Sequence, residues 1–493
     1  SMGYSAAGGE TFNAIRALDV LEIDEHVDKN RLGVTGVSGG GACSFHLAVV
    51  DERVKAVSTL CGICSPYDMI ANRHIRKHCD CMFPNNVYQR DISVYAGLIA
   101  PRAAQFCYAL HDNLFNPEEM KALAVRAKTA YTLLGCEDRW DLVEDVGPHG
   151  NHPVFDKATS RWFDKYVYGE ERPMVKVGGA EFSESEVSVF NGTPPNPNHL
   201  ELLPRFLSSY GNLPLPRNSQ EWDEIRKKAI SKLRSEVPGL STLAEERKSR
   251  LQISADWRYY GELGEVSRSL MKGEVDGVDI LLTIDTPRNA EKKTFLAVGS
   301  EGEYIPLIEG RIRSFISKKN VNIAGLEPRI SANLPMEIPR ITGRGLGMPP
   351  MRDIYSRAMQ LIGVTSISLS FHDIGVAMNA LEEFDGTNGG DIFLYGRGES
   401  GIAALYRGIL DERVKGVIIE DVPATHRDGA PLMGALRAFD LEHAFGLLAP
   451  RKIAVINMGV KISPWFKRLY QRLGCPQNCL ETADLGCALN FML

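Results

Sequence analysis

The residues best suited to carry chemistry form the run Gly36-Val37-Ser38-Gly39-Gly40, a serine in the pattern Gly-x-Ser-x-Gly. A β-branched stretch at residues 31–35 precedes it and a helical stretch follows, so the run has a strand, turn and helix setting. Such a turn strains the backbone at the serine, and its glycines let neighbouring backbone approach closely. The pattern predicts Ser38 as a nucleophile in acyl transfer, with the backbone N–H of Gly39 facing the developing oxyanion.

A nucleophile of this kind requires an acid and then a histidine, each after a later strand of the same sheet. Asp112 follows a strand predicted over residues 104–110, which places its carboxylate at the carboxyl-terminal edge of the sheet. We therefore predict Asp112 as the acid that orients the imidazole. The alternative is a loop aspartate that only caps the helix predicted to follow.

The predicted base is His149, in the loop Gly147-Pro148-His149-Gly150 after a strand predicted over residues 140–146. A neutral imidazole there would accept the Ser38 proton and return it to the leaving alcohol. Glycines on either side favour His149, because they leave it freer access. His152, three residues further on, is the alternative base.

Residue types that bind zinc are concentrated in one segment, but their spacings match no familiar closed zinc site. We therefore predict no metal and no cofactor. Cys79 and Cys81 are too close in sequence to bridge each other comfortably. The residues of this segment are Cys61, Cys64, His74, His78, Cys79 and Cys81.

Composition excludes several classes of protein. The 493 residues contain 56 Lys+Arg and 62 Asp+Glu, a formal net charge of −6, so no nucleic acid or anionic membrane surface is expected as a partner. No apolar run reaches the length of about 18–20 residues that crosses a bilayer. Ten cysteines in this length are too few for a disulfide-stapled scaffold, and buried free thiols are expected.

An internal repeat organises the chain. The run Asp51-Glu52-Arg53-Val54-Lys55-Ala56-Val57 recurs 360 positions later as Asp411-Glu412-Arg413-Val414-Lys415-Gly416-Val417. Alternating strands and helices accompany both runs, which indicates an α/β fold with a mostly parallel sheet flanked by helices, present twice. We predict three parts: a catalytic part at 1–170, a linker with a docking helix at 171–250, and a second domain at 251–493.

The two copies differ in extent and in chemistry. About a hundred residues of the second copy precede the point where the first begins, so the first matches only the C-terminal half of the fold. Because exposed strand edges associate, we expect a homo-oligomer or tight interdomain packing. Gly398, Lys461 and Ala488 stand opposite Ser38, Asp112 and His149, so the second copy is predicted to be a nearly complete, degenerate and catalytically silent domain.

Four segments within about residues 10–170 resemble bacterial α/β-hydrolases of the acetyl xylan esterase type, near dienelactone-hydrolase-like and prolyl-oligopeptidase-like enzymes. The resemblance implies a serine esterase with Ser38, Asp112 and His149 as its triad, acting on small esters such as acetylated carbohydrates. It leaves the compartment open between bacterial cytoplasm and periplasm, with no signal peptide visible. The segments are residues 34–41, His78-Cys79-Asp80-Cys81-Met82-Phe83, Leu98-Ile99-Ala100-Pro101-Arg102 and Gly147-Pro148-His149-Gly150.

Two rival functions remain open at this point. A prolyl-oligopeptidase-like peptidase would usually bring a propeller, and nothing in the chain repeats at blade length. A binding or assembly protein is the other rival. The early strands of the family, including the loop that normally supplies the second oxyanion N–H, have no counterpart in the first copy, and loss of one such donor can cost about 10² to 10³ in rate.

Overall fold

Two compact units make up the described chain. The computed structural model describes residues 3–72, 74–173, 182–190, 212–241, 250–261, 264–275, 278–299, 312, 319–329, 351–457 and 464–493. The first unit, here named the Ser38 unit, contains the described residues between 4 and 190 together with 351–363. The rest form the C-terminal unit. Residues 351–363, predicted within the 251–493 domain, thus group with the Ser38 unit, and the helix of the predicted linker groups with the C-terminal unit.

Four parallel strands form the sheet of the Ser38 unit among its described residues, in the order β1-β2-β3-β4. The middle strands are buried along almost their whole length, as is typical of parallel strands covered on both faces. Because the strands are parallel, their carboxyl-terminal ends meet at one edge. The strands are β1 (Leu32–Val37), β2 (Val54–Leu60), β3 (Ala103–Ala109) and β4 (Trp140–Asp145).

The sheet of the C-terminal unit is mixed. Among the described residues it has the order β13-β12-β11-β10-β8-β9-β7-β6-β5, parallel from β13 to β9 and antiparallel from there to β5. Helices flank both sheets, which confirms the α/β class. The strands are β5 (Gln252–Gly261), β6 (Gly264–Val275), β7 (Val278–Pro287), β8 (Glu291–Val298), β9 (Val321–Glu327), β10 (Asp391–Arg397), β11 (Val414–Glu420), β12 (Lys452–Ile456) and β13 (Cys479–Thr482).

Several helices begin at a side-chain cap. Asn116 accepts a hydrogen bond from the N–H of Glu118, and Pro117 follows at the first position of the helix Pro117–Leu133. No single described helix is both long and apolar enough to cross a membrane, although the bent pair Ile354–Leu361 and Ser366–Glu383 meets the criteria of length and composition when taken together. The α-helices are α1 (Ala6–Ile23), α2 (Gly39–Val50), α3 (Pro66–Ala71), α4 (Ile92–Gly97), α5 (Pro117–Leu133), α6 (Pro153–Phe163), α7 (Glu184–Val187), α8 (Ser219–Glu236), α9 (Met351–Leu361), α10 (Ser366–Glu383), α11 (Gly398–Leu410), α12 (Ala435–Ala438), α13 (Leu441–Leu447), α14 (Pro464–Arg472) and α15 (Leu485–Met492).

Equivalent strands of the two sheets have different neighbours. Among the described residues, β10 pairs in parallel with β8 on one side and β11 on the other, whereas β1 pairs only with β2. The loops that lead into β2 and β11 are alike: Arg53 pairs with Asp51 at 2.6 Å, and Arg413 pairs with Asp411 at 2.7 Å. Within the described chain, β1 is therefore an edge strand.

Candidate active site

Ser38 occupies a strained turn between β1 and α2. Its φ of 58° and ψ of −120° lie in a region that residues other than glycine rarely adopt. Two backbone hydrogen bonds hold this conformation, because the Ser38 N–H donates to the Leu60 carbonyl and the Ala42 N–H donates to the Ser38 carbonyl, each at 2.9 Å. Gly39 is the first residue of α2, so its N–H has no acceptor within the helix.

The turn requires glycine at position 36. A Cβ atom there would lie 2.5 Å from both the carbonyl carbon and the carbonyl oxygen of Gly40, which is closer than backbone atoms can tolerate. A Cβ at Gly40 would meet nothing within 4 Å. The turn therefore has a steric need for glycine at position 36 but not at position 40.

Replacing Gly36 by alanine is expected to destabilise the Ser38 unit by about 2 kcal/mol or more, since backbone must move to relieve the overlap. Replacing the exposed Gly40 by alanine should change stability by less than about 1 kcal/mol. Hydrogen exchange of β1 and α2, measured by mass spectrometry, reports on this unit. Equal protection in the two variants would contradict the steric argument.

Asp112 and His149 form a hydrogen-bonded pair at the edge where Ser38 lies. Asp112 Oδ2 accepts from His149 Nδ1 at 2.8 Å, and Asp112 Oδ1 accepts from the N–H groups of Leu114 and Phe115 at 2.8 and 3.1 Å. The carboxylate is fully buried, and 16% of the His149 side chain is exposed. The cap of α5 is Asn116, so Asp112 does not serve as that helix cap.

The ionised form of Asp112 is stabilised. Burial by itself raises the pKa of the carboxyl group, but the hydrogen bonds from His149 and from the backbone, with the charge of the imidazole, outweigh it and hold the pKa below the ordinary value of 3.8. An ionised carboxylate only accepts, so His149 carries hydrogen on Nδ1. Its Nε2 is then the basic nitrogen, as a general base requires.

His152 is held in a different way. Its Nδ1 lies 2.9 Å from Asp145 Oδ2, its Nε2 lies 2.8 Å from the Pro148 carbonyl oxygen, and its ring stacks on Phe155. Both ring nitrogens face acceptors, so neither is free to take a proton from Ser38. Of the two histidines considered, only His149 pairs with Asp112.

No hydrogen bond joins Ser38 Oγ to His149 among the bonds of the described residues. In enzymes without bound substrate this bond is often long, and it tightens when the substrate binds. The structure thus brings Asp112 and His149 together and places Ser38 in an elbow conformation at the same edge of the sheet.

Cys61, named in the sequence analysis among the potential zinc ligands but given no catalytic role there, is a neighbour of this pair. It follows β2 directly, with a φ of 45°, and is fully buried. Its Sγ lies within 4.8 Å of ligand atoms of both Asp112 and His149, and it donates a long hydrogen bond of 3.8 Å to the Gly150 carbonyl. Burial raises the pKa of the thiol to about 11. The sequence signal for its place beside the pair was that Cys61, like Asp112 and His149, follows a strand of this sheet.

The other potential zinc ligands are engaged within the Ser38 unit. Cys64 Sγ donates to Asp68 Oδ2 at 3.0 Å, and His74 Nδ1 lies 3.3 Å from the same oxygen. Cys79 and Cys81 are joined in a disulfide, so the prediction that they would not bridge was wrong. A Cβ atom placed on Gly39 would lie 3.3 Å from Cys81 Sγ, so the disulfide borders the predicted oxyanion site.

His78 is buried next to the pair. Its Nε2 lies 3.0 Å from the Leu114 carbonyl oxygen, and its ring centroid lies 4.5 Å from that of Phe115, which in turn lies 5.8 Å from that of His149. Burial lowers the pKa of His78 to about 4. The imidazole is therefore neutral near pH 7 and donates from Nε2.

The Ser38 unit should become less stable as the pH falls from 6.5 towards 4. The unfolded chain protonates His78 in this range while the folded unit does not, so the free energy of unfolding falls by up to about 3 kcal/mol. The His78→Gln variant should lose this part of the slope, and the exposed-histidine variant His26→Gln should keep it. Hydrogen exchange of β3 across this pH range is the measurement. If stability fell equally with pH in the wild-type chain and both variants, the role assigned to His78 would be contradicted.

The C-terminal unit has a turn with a positive φ at the position opposite Ser38. Gly398, opposite Ser38, has a φ of 55° at the junction of β10 and α11. Ala488, opposite His149, is buried in α15. Lys461, opposite Asp112, lies outside the described residues. Ser400 Oγ is buried and donates to the Gly299 carbonyl.

Known proteins resemble this chain only in part. No family model matches it. It is 24% identical over 157 residues to the protein named "Putative hydrolase YtaP" of Bacillus subtilis (strain 168), and this match covers 32% of the chain and 52% of that protein. The chain thus spans about half the length of the curated relative it matches.

Solved structures that are similar include enzymes described as esterases. One is a "putative acetyl xylan esterase" from Bacteroides fragilis, with a TM-score of 0.45 and 14% identity over 58% of this chain and 82% of that one. Another is a glucuronoyl esterase from Solibacter usitatus, with a TM-score of 0.39 and 14% identity over 53% and 83%. A glucuronoyl esterase from Teredinibacter turnerae gives 0.39 and 13% over 55% and 83%. At these scores the likeness is partial.

Proposed function

We propose that this chain is a serine carboxylic-ester hydrolase that acts on short-chain acyl esters. One arrangement carries the proposal: a serine in a strained strand-to-helix turn and a buried carboxylate that holds a histidine by Nδ1, at one edge of a parallel sheet. A serine in an unconstrained loop, or a histidine bonded through both nitrogens, could not perform these roles.

In the proposed reaction Ser38 Oγ attacks the acyl carbon while His149 Nε2 takes the hydroxyl proton. The carbonyl oxygen becomes an oxyanion that faces the Gly39 N–H. Collapse of this intermediate breaks the bond to the alcohol, which leaves with the proton from His149. Water then attacks the acyl-Ser38 ester, His149 takes and returns a second proton, and the carboxylic acid departs.

Asp112 acts through His149. Its carboxylate keeps the ring hydrogen on Nδ1 and stabilises the imidazolium that forms in each half of the reaction. The two backbone N–H groups that donate to Oδ1 fix the rotation of the carboxylate, so Oδ2 keeps its position against His149 Nδ1. The reaction needs no metal or cofactor in any step.

The space around Gly39 favours a small acyl group. A Cβ atom placed on Gly39 would lie 3.3 Å from Cys81 Sγ, so the Cys79–Cys81 disulfide borders one side of the predicted oxyanion site. We propose acetyl-type esters as substrates, including acetylated carbohydrates. Hydrolysis of p-nitrophenyl esters should fall at least about 10-fold in kcat/KM from acetate to octanoate, as expected when an acyl chain exceeds its pocket. A rate that holds or rises with chain length would contradict this.

A second candidate is a hydrolase-fold protein that binds or assembles without turnover, with the C-terminal unit as a degenerate copy. Among the described residues β1 is an edge strand, and no described strand lies beside it whose loop could supply a second oxyanion donor. If Gly39 acts alone, the rate would be lower by about 10² to 10³. Equal background hydrolysis by the wild-type chain and its Ser38→Ala variant would favour this candidate.

A further inference from the structure

Three metal-ligating side chains of different type converge at the edge of the Ser38 unit. They are the Cys61 thiol after β2, the Asp112 carboxylate after β3 and the His149 imidazole after β4, each offering one ligand atom within 4.8 Å of the others. The proposed reaction uses only two of these three groups. It assigns no role to the thiol.

We propose that Cys61, Asp112 and His149 bind a thiophilic divalent cation of the zinc class, and that binding switches the hydrolase off. The second half of this inference rests on the proposed function, and the binding itself does not. The site would be regulatory rather than catalytic, because it occupies two groups that the reaction needs.

The donor set fits zinc better than a hard cation. Thiolate, imidazole and carboxylate are the ligand types that Zn²⁺ takes, at about 2.0–2.3 Å from the metal. A tetrahedral site with such bonds places its donors roughly 3.3–3.8 Å apart. Cys61 Sγ lies up to 4.8 Å from the other two ligand atoms and would have to move inward by about 1 Å. The Nδ1–Oδ2 pair, now 2.8 Å apart, would have to open by about 0.5 Å, and water would be the fourth ligand. Mg²⁺ prefers six oxygen ligands, so it should not compete.

His149 is the most exposed of the three ligands. Cys61 and the Asp112 carboxylate are fully buried, whereas 16% of the His149 side chain is exposed. A cation would replace the hydrogen now shared between His149 Nδ1 and Asp112 Oδ2, which lie 2.8 Å apart.

The protons balance in a way that explains the inhibition. Cys61 loses its thiol proton to solvent and binds as thiolate, so one proton is released per cation. The His149 hydrogen moves from Nδ1 to Nε2, because Nδ1 now donates its lone pair to the metal. Nε2 then carries hydrogen and cannot accept the Ser38 proton, and the nucleophile is left without a base.

The test uses the purified full chain and Zn²⁺ or Co²⁺ alone. Co²⁺ should produce a thiolate-to-cobalt absorption band, Zn²⁺ should displace it, and Mg²⁺ should have no effect. In the Cys61→Ser variant the band should disappear, and Zn²⁺ affinity should fall at least about 10-fold, since a hydroxyl is a poor ligand for this metal. The matched control is Cys64→Ser, another buried cysteine a few residues away that bonds to Asp68. It should bind both metals as the wild-type chain does.

Inhibition is measured separately, with p-nitrophenyl acetate and each variant compared with its own metal-free rate. Zn²⁺ should inhibit the wild-type chain and Cys64→Ser at the concentrations that bind, EDTA should restore activity, and Cys61→Ser should require at least about 10-fold more Zn²⁺. An unchanged cobalt band in Cys61→Ser would overturn the site. Binding without inhibition would overturn the switch. If the chain has no esterase activity, only the proposed function fails, because the optical titration with Co²⁺ still tests the metal site.

Discussion

Replacing Ser38 by alanine is expected to lower kcat for p-nitrophenyl acetate by at least about 10³-fold, to the level that binding and the Gly39 N–H alone can support. In the proposed reaction Ser38 Oγ is the atom that forms the acyl-enzyme, and alanine removes it without disturbing the backbone hydrogen bonds that hold the turn. Steady-state kinetics at matched concentration near pH 8 measures the effect. Hydrogen exchange of α2 should remain as in the wild-type chain.

The matched control for this variant is Ser400→Ala in the C-terminal unit. Ser400 lies near the equivalent turn, but its hydroxyl is buried and committed to the Gly299 carbonyl, so its removal should leave kcat within a few-fold of wild type. A fluorophosphonate probe should label the peptide that contains Ser38 and no other. Labelling at Ser400, or a turnover that survives in Ser38→Ala, would contradict the assignment.

Replacing Asp112 by asparagine is expected to lower kcat by about 10³- to 10⁴-fold while the fold is kept. The new carboxamide can still accept from the N–H groups of Leu114 and Phe115 through Oδ1. Its NH₂ group would then face His149 Nδ1, which has to become an acceptor. The ring hydrogen moves to Nε2, and the imidazole can no longer take the Ser38 proton. Steady-state kinetics measures the loss of kcat, and hydrogen exchange of β3 measures whether the fold is kept.

Asp145→Asn supplies the comparison, because Asp145 holds His152 at 2.9 Å much as Asp112 holds His149 at 2.8 Å. The same chemical change at the second pair should alter kcat by less than about 10-fold, since His152 has both nitrogens engaged and takes no part in the proposed reaction. Losses of equal size in the two variants would mean that the histidines had been assigned the wrong roles.

Much of the site was predictable because it is local. The glycine pattern around Ser38 implies a tight turn wherever a strand leads into a helix, and the turn has the positive φ that such a pattern requires. Asp112 and His149 were found by their positions after strands, since parallel strands end at a common edge. The repeat of Asp51 and Arg53 likewise encodes a loop whose ion pair depends on residues close in sequence.

What the sequence by itself determined is therefore the kind of element at each position and the edge at which the reactive groups emerge. Only the tertiary structure decided which histidine meets Asp112, because His149 and His152 are three residues apart and their partners come from different strands. It also brought Cys61 to the pair and grouped residues 351–363 with the Ser38 unit. Contacts of this kind depend on strand order and on packing between distant segments, and a local sequence pattern specifies neither.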